Sequence, residues 1–211
     1  MPTLTRRSAQ PAKPRSVRSF PSLEKSLYRI SVSQYHEMIR QGILTASDQV
    51  ELLEGCLVKK MAKNPPHAAV NEALREILPT MLPAGWCVRS QNPVTLSDSE
   101  PEPDLVVVEG KCRTFSSRHP KPEEFGIAIE VADSSLKRDK ERKRRIYARA
   151  KIETYWIVNL VDRTVEVFSD VNDSPTSPNY RQHQVYTERQ RVPVVLHGKK
   201  VAALLVGDFL P

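Results

Sequence analysis

Apolar residues along the chain follow two periods, one typical of helices and one typical of strands. Spacings of three and four residues predict a long helix over residues 67–78, with one apolar side made of Ala69, Ala73, Leu74, Ile77 and Leu78. A shorter helix is predicted over Ser33–Arg40, with Gly42 placed to end it. Short apolar or alternating runs predict strands in QVELLEGCLVKKM (two strands turning at Glu54-Gly55), WCVRSQNPVTL, DLVVVEG, FGIAIEVA, TYWIVNL and TVEVFSD.

The second half of the chain contains one more predicted helix, over the basic segment of residues 134–151. Ser134 or Ser135 is the expected N-cap. The last two named strands form a predicted hairpin that turns at residues 161–163, and further strands or short irregular pieces follow. This order of elements predicts an α/β or α+β fold with a mixed central β-sheet flanked by helices. The short apolar strands predict that the sheet is covered on both faces.

Composition indicates one globular domain with a tail. The chain has 211 residues, 39% of them hydrophobic, and a net charge of +7. Residues 28–211 are expected to form a single domain, preceded by a basic tail over residues 1–27 that is rich in Pro, Ser and Arg. Five basic residues and no acid occur in residues 1–20. This segment is read either as a disordered, solubilising leader or as an arm that binds DNA without sequence preference.

Cysteine use and hydropathy indicate the cellular compartment of the protein. The three cysteines are scattered and form no C-x-x-C pair, so neither a zinc site nor a disulfide scaffold is expected. No apolar run approaches the roughly 20 residues that span a bilayer. The basic N-terminus lacks the apolar region of a secretory signal. A cytoplasmic protein without membrane contact is the expectation.

Two carboxylates at strand ends are the strongest chemical signal. Glu130 interrupts the apolar run Ile127–Val131, and Asp104 directly follows Pro103 at the start of another apolar strand. If these strands are neighbours, the two carboxylates repel each other unless a hard divalent cation lies between them. Either acid alone is also compatible with a solvated strand end or a cap.

A Pro-Asp pair followed by a Glu on a later strand is similar to the PD-(D/E)XK nuclease superfamily. That superfamily usually has Lys two residues after the second acid, a slot that Ala132 occupies here. A closer resemblance is to one branch, the Uma-two-type family of putative restriction endonucleases, over roughly residues 30–211. The resembling segments are LLEGCLVKKMAKNPPH, PAGWCVRSQNPVT, EPEPDLVVV, IEVADSSL, YARA, YWIVNLVDRTVEVF and the set Asp139–Lys143–Tyr147. Lys151 stands where the family usually has a glycine.

The resemblance implies a restriction-endonuclease-like fold whose catalytic lysine has moved onto the helix after the Glu130 strand. Asp139, Lys143 and Tyr147 are spaced at i, i+4 and i+8, so one helix face can bring Lys143 to the two acids. On spacing alone, Lys143 also reads as a surface lysine in a basic run. The other basic residues of that run are expected to face solvent or to contact phosphates: Lys140, Arg142, Arg144 and Arg145.

Three further residues match family positions and are candidate catalytic residues: Glu51, His67 and Gln91. Glu51 precedes the hairpin turn and could approach a metal, or could be a solvent-facing strand residue. His67 could contact a phosphate or transfer a proton, or could have a structural role at the start of its helix. Gln91 could line the site. The remaining histidines, His36, His119, His183 and His197, have no metal-ligand spacing and are taken as incidental.

The function that the resemblance implies is metal-dependent hydrolysis of DNA phosphodiester bonds. Asp104, Glu130 and the carbonyl of Val131 would hold Mg²⁺ or Mn²⁺, and Lys143 would act on the attacking water. A homodimer is expected, because cutting both strands needs two sites. Two alternatives stay open. One is a module that binds nucleic acid or protein without cutting, and the other is an enzyme that nicks only together with a partner.

Overall fold

A computed structural model describes residues 26–211, and the predicted basic tail falls almost entirely outside this range. The helices are α1 (Val32–Arg40), α2 (Pro65–Met81), α3 (Leu136–Arg138) and α4 (Arg144–Arg149), with a π-helical turn (Asp139–Lys143) joining α3 to α4. The strands are β1 (Val50–Leu53), β2 (Cys56–Lys59), β3 (Trp86–Ser90), β4 (Leu105–Glu109), β5 (Phe125–Ala132), β6 (Thr154–Asn159), β7 (Thr164–Val171), β8 (Tyr180–Thr187), β9 (Arg191–Leu196) and β10 (Lys199–Leu205). Within this range, no helix has the length and apolar character needed to cross a bilayer.

A six-stranded mixed sheet, in the order β3-β4-β5-β6-β7-β8, forms the centre of the fold. Only β5 and β6 pair in parallel among its strands. A parallel pair needs a crossover connection, and α3, the π-helical turn and α4 supply it. Two antiparallel hairpins, β1-β2 and β9-β10, lie outside the central sheet. The predicted fold class is therefore confirmed.

The two faces of the sheet bury different side chains of the same strands. In β5, Ile127, Ile129 and Val131 belong to one core cluster, which α2 and the β9-β10 hairpin cover. Ala128 and Ala132 belong to the other cluster, which α4 and β1 cover. Because successive strand residues point to opposite faces, this alternation directs Glu130 toward the crossover helix. The predicted coverage of both faces is confirmed.

Several element boundaries differ from the sequence-based expectation. The strand predicted over residues 86–96 ends at Ser90, because Gln91 takes a left-handed backbone conformation (φ 55°) and Pro93 cannot donate to a ladder. Helix α2 begins at Pro65 rather than at residue 67, because Asn64 caps it by accepting from the N–H of His67. The C-terminal region forms regular strands, β8 to β10, rather than irregular pieces.

The basic helix is shorter than predicted, and it begins at one of the two expected N-cap residues. Ser135 occupies the N-cap position, but its side chain makes no capping bond and instead donates to the Asp139 carboxylate. The helix ends at Arg149, and Lys151 adopts a left-handed conformation (φ 61°). That backbone conformation favours glycine, which explains why a glycine is usual at this position in the resembling family.

The expectation that the basic run faces solvent is confirmed for Arg145, which is exposed, whereas Lys140, Arg142 and Arg144 are half-buried. Arg142 and Arg145 bind the carboxylate of Glu54, and Arg149 donates to the same carboxylate at 2.9 Å. Lys140 pairs with Glu166 at 2.6 Å, and the Arg144 guanidinium lies over the Phe168 ring. Glu54 sits in the β1-β2 turn, so these arginines fasten that hairpin to the crossover helix.

We expect Glu54→Gln to destabilise the fold and to flatten its response to acid. Burial raises the pKa of Glu54, but hydrogen bonds from Arg145 and Arg149 outweigh it and hold the pKa at about 2, below the ordinary 4.5. A depressed carboxyl pKa contributes stability above the ordinary pKa, and that stability is lost as the pH falls toward about 2. We expect a loss of about 1–2 kcal/mol at neutral pH, discounted for solvent screening. Urea unfolding across pH 2–7 measures it.

Glu76→Gln, on the exposed side of α2, controls for the loss of one negative charge. Equal pH profiles of unfolding free energy for wild type and Glu54→Gln would contradict the role of Glu54.

Candidate active site

Asp104 and Glu130 lie at the same end of two neighbouring strands, where β4 begins and β5 ends. Strands β4 and β5 pair with Leu105 opposite Ile129, which places Asp104 beside the end of β5. Asp104 Oδ2 accepts a 2.9 Å hydrogen bond from the N–H of Val131. Both acids are buried, with 7% and 3% of their surface exposed. The reading of either acid as a solvated strand end is therefore wrong.

Lys143 reaches these acids from the crossover helix. Its Nζ donates to Glu130 Oε1 at 2.9 Å and lies 3.4 Å from Glu51 Oε2. Only 3% of Lys143 is exposed, so the reading as a surface lysine is wrong. Tyr147, one turn further, donates its hydroxyl to the same Glu130 oxygen at 2.7 Å. With both donors on Oε1, Glu130 Oε2 accepts no hydrogen bond from residues 26–211.

Glu51 comes from β1 and is likewise buried, at 3% exposure. Its Oε2 accepts a 3.1 Å hydrogen bond from the backbone N–H of Glu102, two residues before Asp104. The hairpin therefore adds a third carboxylate to the site and is tied to the segment that leads into β4. This excludes the reading of Glu51 as a solvent-facing strand residue.

His67 stands in the first turn of α2 and contacts Asp104. Its Nε2 lies 3.1 Å from Asp104 Oδ2, and Asn71 donates its side-chain amide to Nδ1 at 3.1 Å. Because Nδ1 accepts, the proton belongs on Nε2, which then donates to the carboxylate. Asn71, one helical turn along, thus fixes the tautomer that holds Asp104.

Asp139 also faces this site, a residue for which the sequence supplied a spacing but no role. It is 1% exposed, and its Oδ2 accepts a 2.5 Å hydrogen bond from Ser135 Oγ. The wider π-helical turn begins at Asp139 and ends at Lys143, and such turns occur frequently at functional sites. The helical spacing of Asp139, Lys143 and Tyr147 was the signal that could have identified both Asp139 and Tyr147.

Negative charge exceeds positive charge among the buried groups. Four carboxylates, Glu51, Asp104, Glu130 and Asp139, surround one buried ammonium. Burial raises the pKa of Glu130 well above its ordinary value; Lys143 opposes this, and the neighbouring acids add to it. Burial alone would lower the pKa of Lys143, but Glu130, Glu51 and Asp139 raise it, so the side chain stays an ammonium.

Asp104 behaves differently from Glu130. Burial raises the pKa of Asp104, but the hydrogen bonds from His67 and from the Val131 N–H, with the charge of Lys143, together bring that pKa below its ordinary value. Asp104 is therefore ready to act as an anionic ligand, whereas Glu130 gains most from a further cation.

A cavity of about 60 Å³ lies among these groups. This volume exceeds the ~10–15 Å³ that one water occupies on the same measure. The four buried carboxylates, His67 and Lys143 line the cavity, and Tyr147 and Asn71 do not. Further charged residues of the lining are Lys60, Lys63, Asp133 and Arg138. Gln91 does not line it; its backbone N–H instead donates to the Asp104 carbonyl at 3.0 Å.

The donors suit a hard divalent cation by their chemistry, because they are carboxylate and carbonyl oxygens. Nevertheless, no three His, Cys, Asp or Glu side chains among residues 26–211 are arranged as a ready-made metal site. The Lys143 ammonium binds two of the carboxylates instead. The histidines without a predicted role do not line this cavity: His36, His119, His183 and His197. His36 instead binds the buried Glu100 at 2.5 Å.

Comparisons with known proteins show the family and the fold of this chain. A family model described as "Uma2: Putative restriction endonuclease" matches residues 32–202. Among solved structures, the chain is similar to "a putative nuclease belonging to DUF820" from Anabaena variabilis ATCC 29413. That match has a TM-score of 0.62 and 17% identity, and it covers 86% of this chain and 97% of the other. No curated protein matches the chain.

At 17% identity the structural likeness establishes the fold alone, whereas the family model spans most of the described domain. The chain therefore belongs to the Uma2 family, whose members are described as putative restriction endonucleases.

Proposed function

We propose that this protein hydrolyses DNA phosphodiester bonds with the help of Mg²⁺ or Mn²⁺. The observation that carries the proposal is a pair of buried carboxylates, Asp104 and Glu130, with a buried lysine that donates to Glu130, in a cavity with a surplus of carboxylates. Such a site gains electrostatic stability from a divalent cation and offers it oxygen ligands. Membership in the Uma2 family supports DNA as the substrate.

Asp104, Glu130 and the Val131 carbonyl are the proposed metal ligands. When bound, the ion would acidify a coordinated water and polarise the scissile phosphate. The His67 Nε2–H holds Asp104 in position, and Tyr147 does the same for Glu130. These two hydrogen bonds fix the orientation of carboxylates that would otherwise rotate.

Lys143 acts as a cation and not as a base, because its raised pKa keeps it protonated. Its ammonium orients the attacking water and stabilises negative charge that develops on the phosphoryl oxygens. Lys63 Nζ lies 3.9 Å from Asp104 Oδ1, and 38% of its side chain is exposed. Lys63 is therefore the proposed contact for the phosphate backbone, since the arginines of the crossover helix bind Glu54 instead. Cutting both strands would need two copies of the chain.

We expect Glu130→Gln to abolish metal-dependent cleavage and Lys143→Met to slow it by roughly 10²–10⁴-fold. Supercoiled plasmid and single-stranded DNA are incubated with wild type and variants in Mg²⁺, Mn²⁺ or EDTA. Because Lys143→Met releases two carboxylates, that variant should bind Mn²⁺ at least as tightly as wild type while cutting more slowly. Titration calorimetry measures the binding.

Lys137→Met is the matched control, since Lys137 is an exposed lysine of the same helical segment and does not line the cavity. Cleavage that survives in EDTA, or in both Glu130→Gln and Lys143→Met, would refute the proposal. DNA binding that is unaffected by EDTA, with no cutting by wild type, would favour a binding module.

We expect cleavage to decline in acid with a midpoint above 4.5, the ordinary pKa of a glutamate. The raised pKa of Glu130 means that a proton occupies this ligand at a higher pH than usual, and protons compete with metal. A tenfold rise in Mg²⁺ should therefore move the midpoint to lower pH. Initial rates from pH 4 to 9 at two Mg²⁺ concentrations test this, and a midpoint that ignores Mg²⁺ would contradict it.

A further inference from the structure

One buried carboxylate oxygen of a cavity-lining residue accepts no hydrogen bond from the described part of the chain. Asp139 is 1% exposed, and its Oδ1 accepts no hydrogen bond from residues 26–211. The nearest cationic atom recorded for this oxygen is Arg138 Nε, at 4.0 Å, which is too long for a hydrogen bond. Leaving a buried charged oxygen unpaired is expensive, so a native fold that keeps one usually supplies a partner from elsewhere.

Neighbouring residues hold the Asp139 side chain and backbone in place. Ser135 Oγ donates to Oδ2 at 2.5 Å, and the Tyr155 hydroxyl donates to the Asp139 carbonyl at 3.2 Å. The Arg144 N–H donates to the same carbonyl across the π-helical turn. The unpartnered oxygen is thus part of a fixed side chain that lines the cavity, rather than of a mobile surface group.

Lys143 does not neutralise this oxygen directly. Its ammonium contacts Glu130 and Glu51, one helical turn away from Asp139. Asp139 and Glu130 each keep one oxygen without a donor, and both residues line the same cavity. An added cation with a preference for oxygen would satisfy both.

We propose that Asp139 Oδ1 is a further ligand for a divalent cation in this cavity. The metal site would then draw carboxylates from β5, from the residue before β4 and from the crossover helix. This inference rests on the proposed metal-dependent function and adds a ligand to it. It gives Asp139 the same chemical role as Asp104 and Glu130, while Lys143 keeps its separate role toward water and phosphate.

Asp139→Asn in the full chain tests the assignment, because the amide keeps the shape and removes the charge. We expect its Mn²⁺ affinity to fall tenfold or more. Calorimetry and the loss of the electron paramagnetic resonance signal of free Mn²⁺ measure this affinity. In EDTA its melting temperature should equal or exceed that of wild type, because a buried unpaired charge is gone. Mn²⁺ should then raise the melting temperature of wild type more than that of the variant.

Asp133→Asn is the matched control. Asp133 lines the same cavity, but Asn64 already donates to its Oδ2 at 2.5 Å. Its Mn²⁺ affinity should stay within about twofold of wild type. Equal Mn²⁺ affinity and equal metal-induced stabilisation in Asp139→Asn and wild type would overturn the assignment, with water as the partner of Oδ1.

The two proposals fail separately. Cleavage by wild type with unchanged Mn²⁺ binding in Asp139→Asn would refute the ligand and leave the nuclease standing. Mn²⁺ binding that depends on Asp139, without cleavage of plasmid or single-stranded DNA, would support the ligand and refute the nuclease. Absence of Mn²⁺ binding by wild type would refute the ligand whatever the cleavage assay gives.

Discussion

The contact between the Lys143 ammonium and two buried carboxylates is the interaction on which this architecture depends. It joins β1, through Glu51, to β5, through Glu130, and both to the crossover helix. Removing one member of a buried ion pair typically costs about 3–5 kcal/mol, because the other charge is left without compensation. The lysine therefore holds together the elements that form the site, as well as contributing chemistry to it.

A second set of charges does similar work at the protein surface. Glu54 in the β1-β2 turn receives three arginines from the crossover helix, and this fixes the hairpin that presents Glu51. The arginines are consequently committed to structure, although their number in the sequence suits nucleic acid. Besides Lys143 and Arg138, the cationic side chains that line the cavity are Lys60 and Lys63, from the segment between β2 and α2. The basic composition of this helix suggested contacts with phosphates, whereas three of its arginines bind Glu54.

The sequence predicted which residues come together at the cavity better than it predicted where the helices and strands begin and end. Strand periodicity identified Glu130 as an acid among apolar residues. The family resemblance, with a helical spacing compatible with it, placed Lys143 within reach of Glu130. The position of Gln91 depended on where β3 ends, which a single left-handed residue decides. The unpaired oxygen of Asp139 depends on the π-helical turn and on Ser135, and neither contact has a signature in residue type or spacing.

The π-helical turn sets the angle between the Asp139 and Lys143 side chains on the crossover helix. Its i→i+5 hydrogen bond accommodates one residue more than an α-helical turn would, between Asp139 and Arg144. Loss of one residue here would restore α-helical winding and leave Asp139 three residues from Lys143 instead of four, which changes the angle between the two side chains. Chain length between residues 139 and 143 is consequently as constrained as the identity of Asp139 and Lys143. The three residues between them should tolerate substitutions more readily than insertions or deletions.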